Sequence, residues 1–384
     1  MSSSNWNIKI PKVTIIGAGT FGINAANTLA KSYPHYEVTL ISKKDFALNL
    51  MATHRLVTEG FNPEEVTRPL SSVVAKGVKI VVAKDVLNFD DKSTDIIITN
   101  DDDLNIPHDI LILATGAKWT HPIATQDFGS DLKSMQNYLD DQIEKLKDAK
   151  KVVVAGLGFV GSELAGELGY RFKQQLATGK KQIICVHPSD SVLDEHYKYT
   201  IRHSIQRQLE EMNLTLMLHD VALYDESDPR TVILRSSNSV IEDVDVFYNC
   251  TGPQPNVPRT NLTDLELSNR GFIKVKKTYQ TLKYPNIFAI GDINNIPGKK
   301  MVNREEQIQV LKTNVHALLT GSKNVFREFE NREKPIGISL GPKAGVGQLT
   351  LPVIGVIKLP EFLVVQAKSK YLYTDKLDEV LGKV

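Results

Sequence analysis

Gly17, Gly19 and Gly22 follow the apolar run Val13 to Ile16 and open a helical pattern; Gly156, Gly158 and Gly161 do the same after Val152 to Ala155. In a G-x-G-x-x-G so placed, the first glycine makes a tight turn and the second lets the backbone approach a pyrophosphate. The third lets the helix pack on the strand, with the helix N-terminus facing the anion. Ala18, Thr20 and Phe21 fill out the first turn. Two such turns imply two dinucleotides. A chain that holds two is most simply read as passing electrons between them.

Other chemistry is sparse. Cys185 and Cys250 have neither C-x-x-C nor C-x-x-x-x-C spacing, so they offer no dithiol centre and no thiolate metal site. Each lies in an apolar run and reads as a packing residue. His196 and His203 stand seven positions apart without a third ligand, and the aspartate run 101–103 reads as a solvated hairpin tip, so no metal is expected.

The elements that position the turns follow from periodicity. Residues 12–42 read as a β-α-β unit with its helix over 21–32. Strands follow over 78–90, and 94–99 pairs with 109–113 around the acidic tip. A charged helix over 130–147 leads to a second β-α-β unit at 151–187. Next comes a helix over 200–212 with Ile201, Ile205, Leu209 and Met212 on one face, then strands over 214–248. A Pro- and Asn-rich crossover, a helix over 304–319, and Gly- and Pro-punctuated strands with a final charged helix complete the chain. The fold class is α/β, with two Rossmann-like dinucleotide-binding domains and a small C-terminal α+β portion from 326 to 384.

The 384 residues are 41% hydrophobic and 24% charged, with a net charge of +1. That balance argues against nucleic acid, which favours a basic face. The N-terminal stretch lacks a signal-peptide core, and Ser2 stands where N-myristoylation requires glycine. A cytoplasmic chain is expected, not a secreted one, with attachment to a mitochondrial or other membrane surface and a homodimer both left open.

Further landmarks come in a fixed order. Ala114-Thr115-Gly116 closes one strand, Thr251-Gly252-Pro253 closes another, and IFAIGD ends in Gly291 and Asp292. With the two glycine turns this order, over roughly 12–320, resembles the two-dinucleotide-binding flavoproteins, in which the second unit interrupts the first. The resemblance divides the chain into an FAD-binding domain, 1–120 and 251–325, and an NAD(P)H-binding domain, 121–250. Asp292 would accept hydrogen bonds from the ribitol hydroxyls, with Gly291 admitting the flavin chain. Disulfide reductases of that superfamily carry C-x-x-x-x-C where this chain reads KKDFALNLMATHRLVTEG, so electrons must leave to an external acceptor.

Leu50-Met51-Ala52-Thr53-His54-Arg55, Glu59-Gly60-Phe61, the stretches GPKAGVGQ and KSKYLY, and Glu163, Gly166 and Glu167 carry a narrower likeness. It resembles the apoptosis-inducing-factor-like, ferroptosis-suppressor family of FAD-dependent NAD(P)H oxidoreductases, its fungal members above all. The resemblance implies FAD, NAD(P)H as co-substrate and a quinone as acceptor. It would put Gly17 to Gly22 and Ala114-Thr115-Gly116 on FAD, Arg55 near the flavin phosphates or ribitol, and the backbone near Val86 against adenine. Lys300 and Met301 would sit at the N-terminus of the helix beside the flavin, and Gln348 by its face. Gly156, Gly158 and Gly161 would hold the NAD(P)H pyrophosphate, with Glu163 reaching the nicotinamide end. Glu163, Lys300 and Gln348 are the candidates near the reacting rings.

Two positions depart from that pattern. Ser42, followed by two lysines, replaces the acidic residue expected on the FAD ribose. The second unit's strand ends at His187 and carries no carboxylate, so NADH is expected with NADPH also accepted. Residues 349–365 read either as a strand-rich cap on the flavin domain or as an apolar lip for peripheral membrane contact. The alternative to a quinone reductase is a slow-turnover redox-sensing effector acting through partner binding.

Overall fold

The computed structural model describes residues 9–97, 103–120, 125–225, 227–298, 301–322, 325–331, 335–351 and 353–383. The first unit begins with β1 (Lys12–Ile16), α1 (Thr20–Ser32) and β2 (Glu37–Ser42). A short helix α2 (Thr53–Leu56), β3 (Val78–Val82) and β4 (Ile110–Leu113) follow. The second unit contains β5 (Lys151–Ala155), α3 (Phe159–Arg171), β6 (Gln182–Val186), α4 (Tyr199–Glu211), β7 (Thr215–Met217) and β8 (Val246–Asn249). The chain then returns through β9 (Ile287–Ala289) and α5 (Arg304–Leu319). It ends with β10 (Ile336–Ser339), β11 (Gly345–Leu351), β12 (Gly355–Leu359) and α6 (Leu377–Leu381).

The first sheet has the order β9-β4-β1-β2-β3 and the second β7-β6-β5-β8, both parallel. Their strands are apolar at successive positions because helices cover both faces. The segment 109–113 is therefore not the hairpin strand expected from its sequence. Ile110 to Leu113 is buried at every position and pairs with β1 as a central parallel strand. A hairpin strand would leave alternate residues in water. Ser93–Ile97 instead pairs antiparallel with Asp103–Pro107, which does alternate, and Asp85–Phe89 completes that three-stranded sheet. The expected helix over 304–319 is observed with those bounds. The charged helix spans Leu132–Asp148, starting later than expected because the Asp131 carboxylate caps the Ser134 N–H at 2.8 Å.

Two crossings join the units, and they pair with each other. Ala117–Lys118 lies antiparallel to Gln254–Pro255. Beside it the Thr115 hydroxyl donates to the Asn256 carbonyl at 2.6 Å, and the Asn256 N–H to the Gly116 carbonyl at 3.0 Å. A two-strand strap of this kind sets the separation of the two sheets.

The C-terminal strands β10, β11 and β12 form an antiparallel sheet. Where a cap on the flavin domain was expected, their core includes Ala52 and Leu56 of the first unit but draws largely on the second. Ile338, Leu340, Val346 and Leu372 share a core with Val152, Leu164 and Ile205 of the second unit. Only α6 returns to the first core, through Leu377 and Leu381, where the Asn27 amide donates to the Gly382 carbonyl at 2.6 Å. Among the described residues, no helix is long and apolar enough to cross a membrane.

The contact between α3 and the C-terminal sheet depends on Gly166, where an added Cβ would land on the Leu340 backbone. In an open helix, replacing glycine by alanine gains about 1 kcal/mol. Here the sign reverses: Gly166→Ala should cost roughly 1–3 kcal/mol, read as a lower thermal midpoint with earlier proteolysis in the C-terminal sheet. An unchanged or higher midpoint would remove this account of the interface.

Candidate functional site

Three distant segments meet at the C-terminal ends of β1, β4 and β9, where open parallel sheets bind ligands. The Gly17 N–H donates to the Ile41 carbonyl at 2.8 Å, Ala114 to Ile16 at 2.8 Å, and Ile290 to Leu113 at 3.0 Å. Gly17 has φ 108°, and a Cβ there would lie 2.5 Å from the Ala114 carbonyl oxygen. A Cβ on Gly22 would strike the Gly17 carbonyl, whereas one on Gly19 would meet nothing within 4 Å. Two glycines are thus needed for backbone packing, and the middle one leaves space for a ligand. Gly19 is also the N-cap of α1, with no side-chain cap and no acidic residue in the first turn, so the helix presents its amides to an anion. Gly291, with φ 78°, packs against the Phe21 ring, which brings Asp292 beside the turn.

The second turn repeats this geometry. Gly156 has φ 91° and would place a Cβ 2.8 Å from the Cys250 carbonyl oxygen; one on Gly161 would strike the Gly156 carbonyl, and Gly158 is open. Its N–H groups are likewise uncapped at the start of α3. Both sites therefore fit the pyrophosphate of a dinucleotide. A Cβ on Gly156 would lie 3.1 Å from the Thr251 Cα, and one on Gly252 3.8 Å from the Arg270 guanidinium. Arg270 in turn lines an open groove of about 870 Å³ with Phe272, Asn295 and Gly298, on the loop that leaves Asp292.

Several candidates occupy positions the sequence did not indicate. Ser42 is buried, its hydroxyl accepting the Lys44 N–H at 3.1 Å. Just past the neighbouring strand β3, Asp85 is ion-paired to Lys43 at 2.5 Å and to Arg259 at 3.1 Å. The Val86 N–H donates to that same carboxylate at 2.9 Å. Met301 opens a turn, Met301–Asn303, that leads into α5; Lys300 lies outside the described residues. His187 is turned inward: its Nδ1 accepts the Leu157 N–H at 3.0 Å and its Nε2 faces the Leu193 carbonyl at 3.3 Å. Burial holds its pKa below the ordinary value, which suits a neutral ring with the proton on Nε2.

Arg55 requires a correction. It is 3% exposed and is not held for flavin phosphates or ribitol. Its Nε donates to Glu167 at 2.9 Å, and its other nitrogens reach Glu167 again, the Lys370 carbonyl at 3.0 Å and the Ser369 carbonyl at 2.7 Å. Its guanidinium also covers the Phe61 ring at 5.1 Å. A motif shows the residue type but not which acid the fold brings to it.

One turn earlier on α3, Glu163 Oε1 pairs with Lys368 and accepts the Ser339 N–H at 3.2 Å. Lys368 also donates to the Gly337 carbonyl at 2.9 Å. His54 lies in their field, 3% exposed, its Nε2 without a hydrogen-bond partner among the described residues. Burial pushes its pKa down to about 4, with Glu163 pulling upward and Arg55 and Lys368 pushing downward. Sequence reasoning quoted Lys368 and His54 within motifs but assigned them no role. Gln348 lies on β11 opposite Lys358, whose Nζ reaches Ser204 of α4 at 2.7 Å. Cys185 is buried and Cys250 half-buried. Burial raises both thiol pKa values, Cys250 to about 12.

Residues 11–317 match the protein family described as Pyridine nucleotide-disulphide oxidoreductase. Apoptosis-inducing factor 1 of Saccharomyces cerevisiae is 33% identical, covering 98% of this chain and 100% of its own length. Ferroptosis suppressor protein 1 of Taeniopygia guttata is 25% identical, covering 97% and 96%. In fold the chain is similar to the sulfide:quinone oxidoreductase of Aquifex aeolicus, with TM-score 0.74, 17% identity and coverage of 96% and 92%. It is also similar to NDH2 of Plasmodium falciparum in complex with NADH, with TM-score 0.71, 14% identity and coverage of 98% and 99%.

The two turns can be separated experimentally. Gly22→Ala should yield protein lacking the visible absorbance of bound flavin. Gly161→Ala should keep that absorbance while losing reduction by NAD(P)H. A yellow Gly22→Ala protein would contradict the assignment of the first turn.

Proposed function

The chain belongs to the pyridine nucleotide-disulphide oxidoreductase family and is an FAD-dependent NAD(P)H oxidoreductase; from that premise we propose that a quinone is its electron acceptor. The observation that carries this reading is that two open dinucleotide turns, at Gly19 and Gly158, occur in a chain whose two cysteines form no dithiol. The cysteines are Cys185, on β6, and Cys250, just after β8, with β5 between those two strands. Burial holds both as neutral thiols. The acceptor is then external, and the likeness to a sulfide:quinone oxidoreductase supports a quinone.

Bound FAD would take hydride from NAD(P)H and release electrons to the acceptor. The chain's own residues supply placement. The first unit, 1–120 with 251–325, holds FAD: the open face at Gly19 and the α1 amides meet its pyrophosphate, and Asp292 meets its ribitol. The second unit, 121–250, holds the coenzyme through Gly158 and the α3 amides. Lys368 Nζ, tied to Glu163 Oε1, keeps a proton donor where both units and the C-terminal portion converge. A quinone needs such a donor, because its reduction takes up protons.

An access route for a lipid-soluble quinone is proposed at the C-terminal hairpin. Val353 is 96% exposed, Ile354 70% and Phe362 66%. Three large apolar side chains in this short stretch suit partial entry into a bilayer interface.

Two measurements test the reading. Under anaerobic conditions NADH should bleach the bound flavin and a soluble quinone should restore its spectrum. A reduced spectrum that persists in excess quinone would replace this proposal with a slow effector. Separately, the full chain should float with liposomes, and a Val353→Asp/Phe362→Asp variant that retains its flavin should not. Equal flotation of the two proteins would remove the lip.

A further inference from the structure

The end of β6 is where a Rossmann unit contacts the adenosine ribose of its coenzyme, and the residue there usually decides between a 2′-hydroxyl and a 2′-phosphate. In this chain that residue is His187, and both its ring nitrogens face the backbone at Leu157 and Leu193. It supports the glycine turn from beneath and has no nitrogen left for a ribose. The reading of the 2′ position must come from elsewhere.

The loop that follows β6 supplies other groups. It folds back onto the glycine turn, with the Leu193 N–H donating to the Leu157 carbonyl at 2.8 Å and Leu193 itself in the left-handed region at φ 60°. Its outer side carries Asp190, 68% exposed. Across from it stands Arg202, in the first turns of α4, 12% exposed, with its Nη1 3.2 Å from Asp190 Oδ1. The Arg202 Nε is buried and without a hydrogen-bond partner among the described residues. The other cation at this helix start, Lys198, is directed away and donates to the Val356 carbonyl at 2.7 Å. The sequence showed no arginine for a 2′-phosphate because Arg202 follows the strand end by fifteen positions; the turn into α4 returns it there.

We propose that the Asp190–Arg202 pair sets the coenzyme preference of the second unit. Asp190 accepts a hydrogen bond from the 2′-hydroxyl of NADH and repels the 2′-phosphate of NADPH. Arg202 is the cation that a 2′-phosphate requires, and Asp190 holds it neutralised. The chain therefore prefers NADH, and its weaker use of NADPH draws on Arg202 released from Asp190. This inference rests on the nucleotide reading of the second unit.

Calorimetry on the FAD-loaded protein tests it without turnover, using ADP-ribose and 2′-phospho-ADP-ribose as probes. The unaltered protein should bind ADP-ribose more tightly. Asp190→Asn should shift the affinity ratio towards the phosphorylated probe by about tenfold or more. Adding Arg202→Gln to that variant should abolish the shift while ADP-ribose still binds. If Asp190→Asn leaves the ratio unchanged although both probes bind, the pair does not read the 2′ position and the proposal falls alone. If neither probe binds the unaltered protein, the coenzyme assignment of the second unit falls with it.

Discussion

Glu163 and Glu167, one turn apart on α3, hold three parts of the chain in register. Glu167 takes Arg55 from the first unit, and Glu163 takes Lys368 from the C-terminal portion. Arg55 also binds the carbonyls of Ser369 and Lys370, so the same junction closes from both sides. Charges this deeply buried are costly unless paired, and removing one partner of such a pair costs about 3–5 kcal/mol. That junction ties both units and the C-terminal portion to α3.

The glycine turns depend on it in a practical way. Each is locally complete: a backbone folded so tightly that an added methyl would strike a carbonyl, with one open glycine between the two packed ones. Neither turn can set its distance from the other. That distance comes from the strap joining Ala117–Lys118 to Gln254–Pro255 and from the ion pairs on α3. Electron passage between two bound cofactors is a matter of placement, and these long-range contacts provide it.

The two departures from the expected ribose contacts have different resolutions. At Ser42 the hydroxyl accepts the Lys44 N–H, and the nearby Asp85 is ion-paired to Lys43 and Arg259. At His187 the side chain becomes part of the support for the glycine turn. In both cases the strand-end side chain is taken up by backbone groups of its own unit.

Features that depend on neighbours in sequence were legible from it. The glycine spacing is local chemistry, since the tight turn and the helix N-terminus lie within the six residues Gly17 to Gly22, and α5 was legible because strong formers predominate in it and no Gly or Pro interrupts it. The interruption of the first unit by the second was implied by the resemblance that the motif order carries, and β9 does return to the first sheet. What the sequence could not reveal involved partners from distant segments. The run Ile110 to Leu113 reads equally well as a hairpin strand or a central one, and only its neighbours β1 and β9 decide. Arg55 reads as a ligand residue until Glu167, 112 positions away, occupies it. The C-terminal strands carry no mark of which unit they cover; Gly166 and Leu340 settle that by meeting without a side chain between them. Local backbone conformation is encoded in nearby residues. The choice of partner for a buried charge or an apolar face depends on which surfaces folding brings together, and only the tertiary structure determines that.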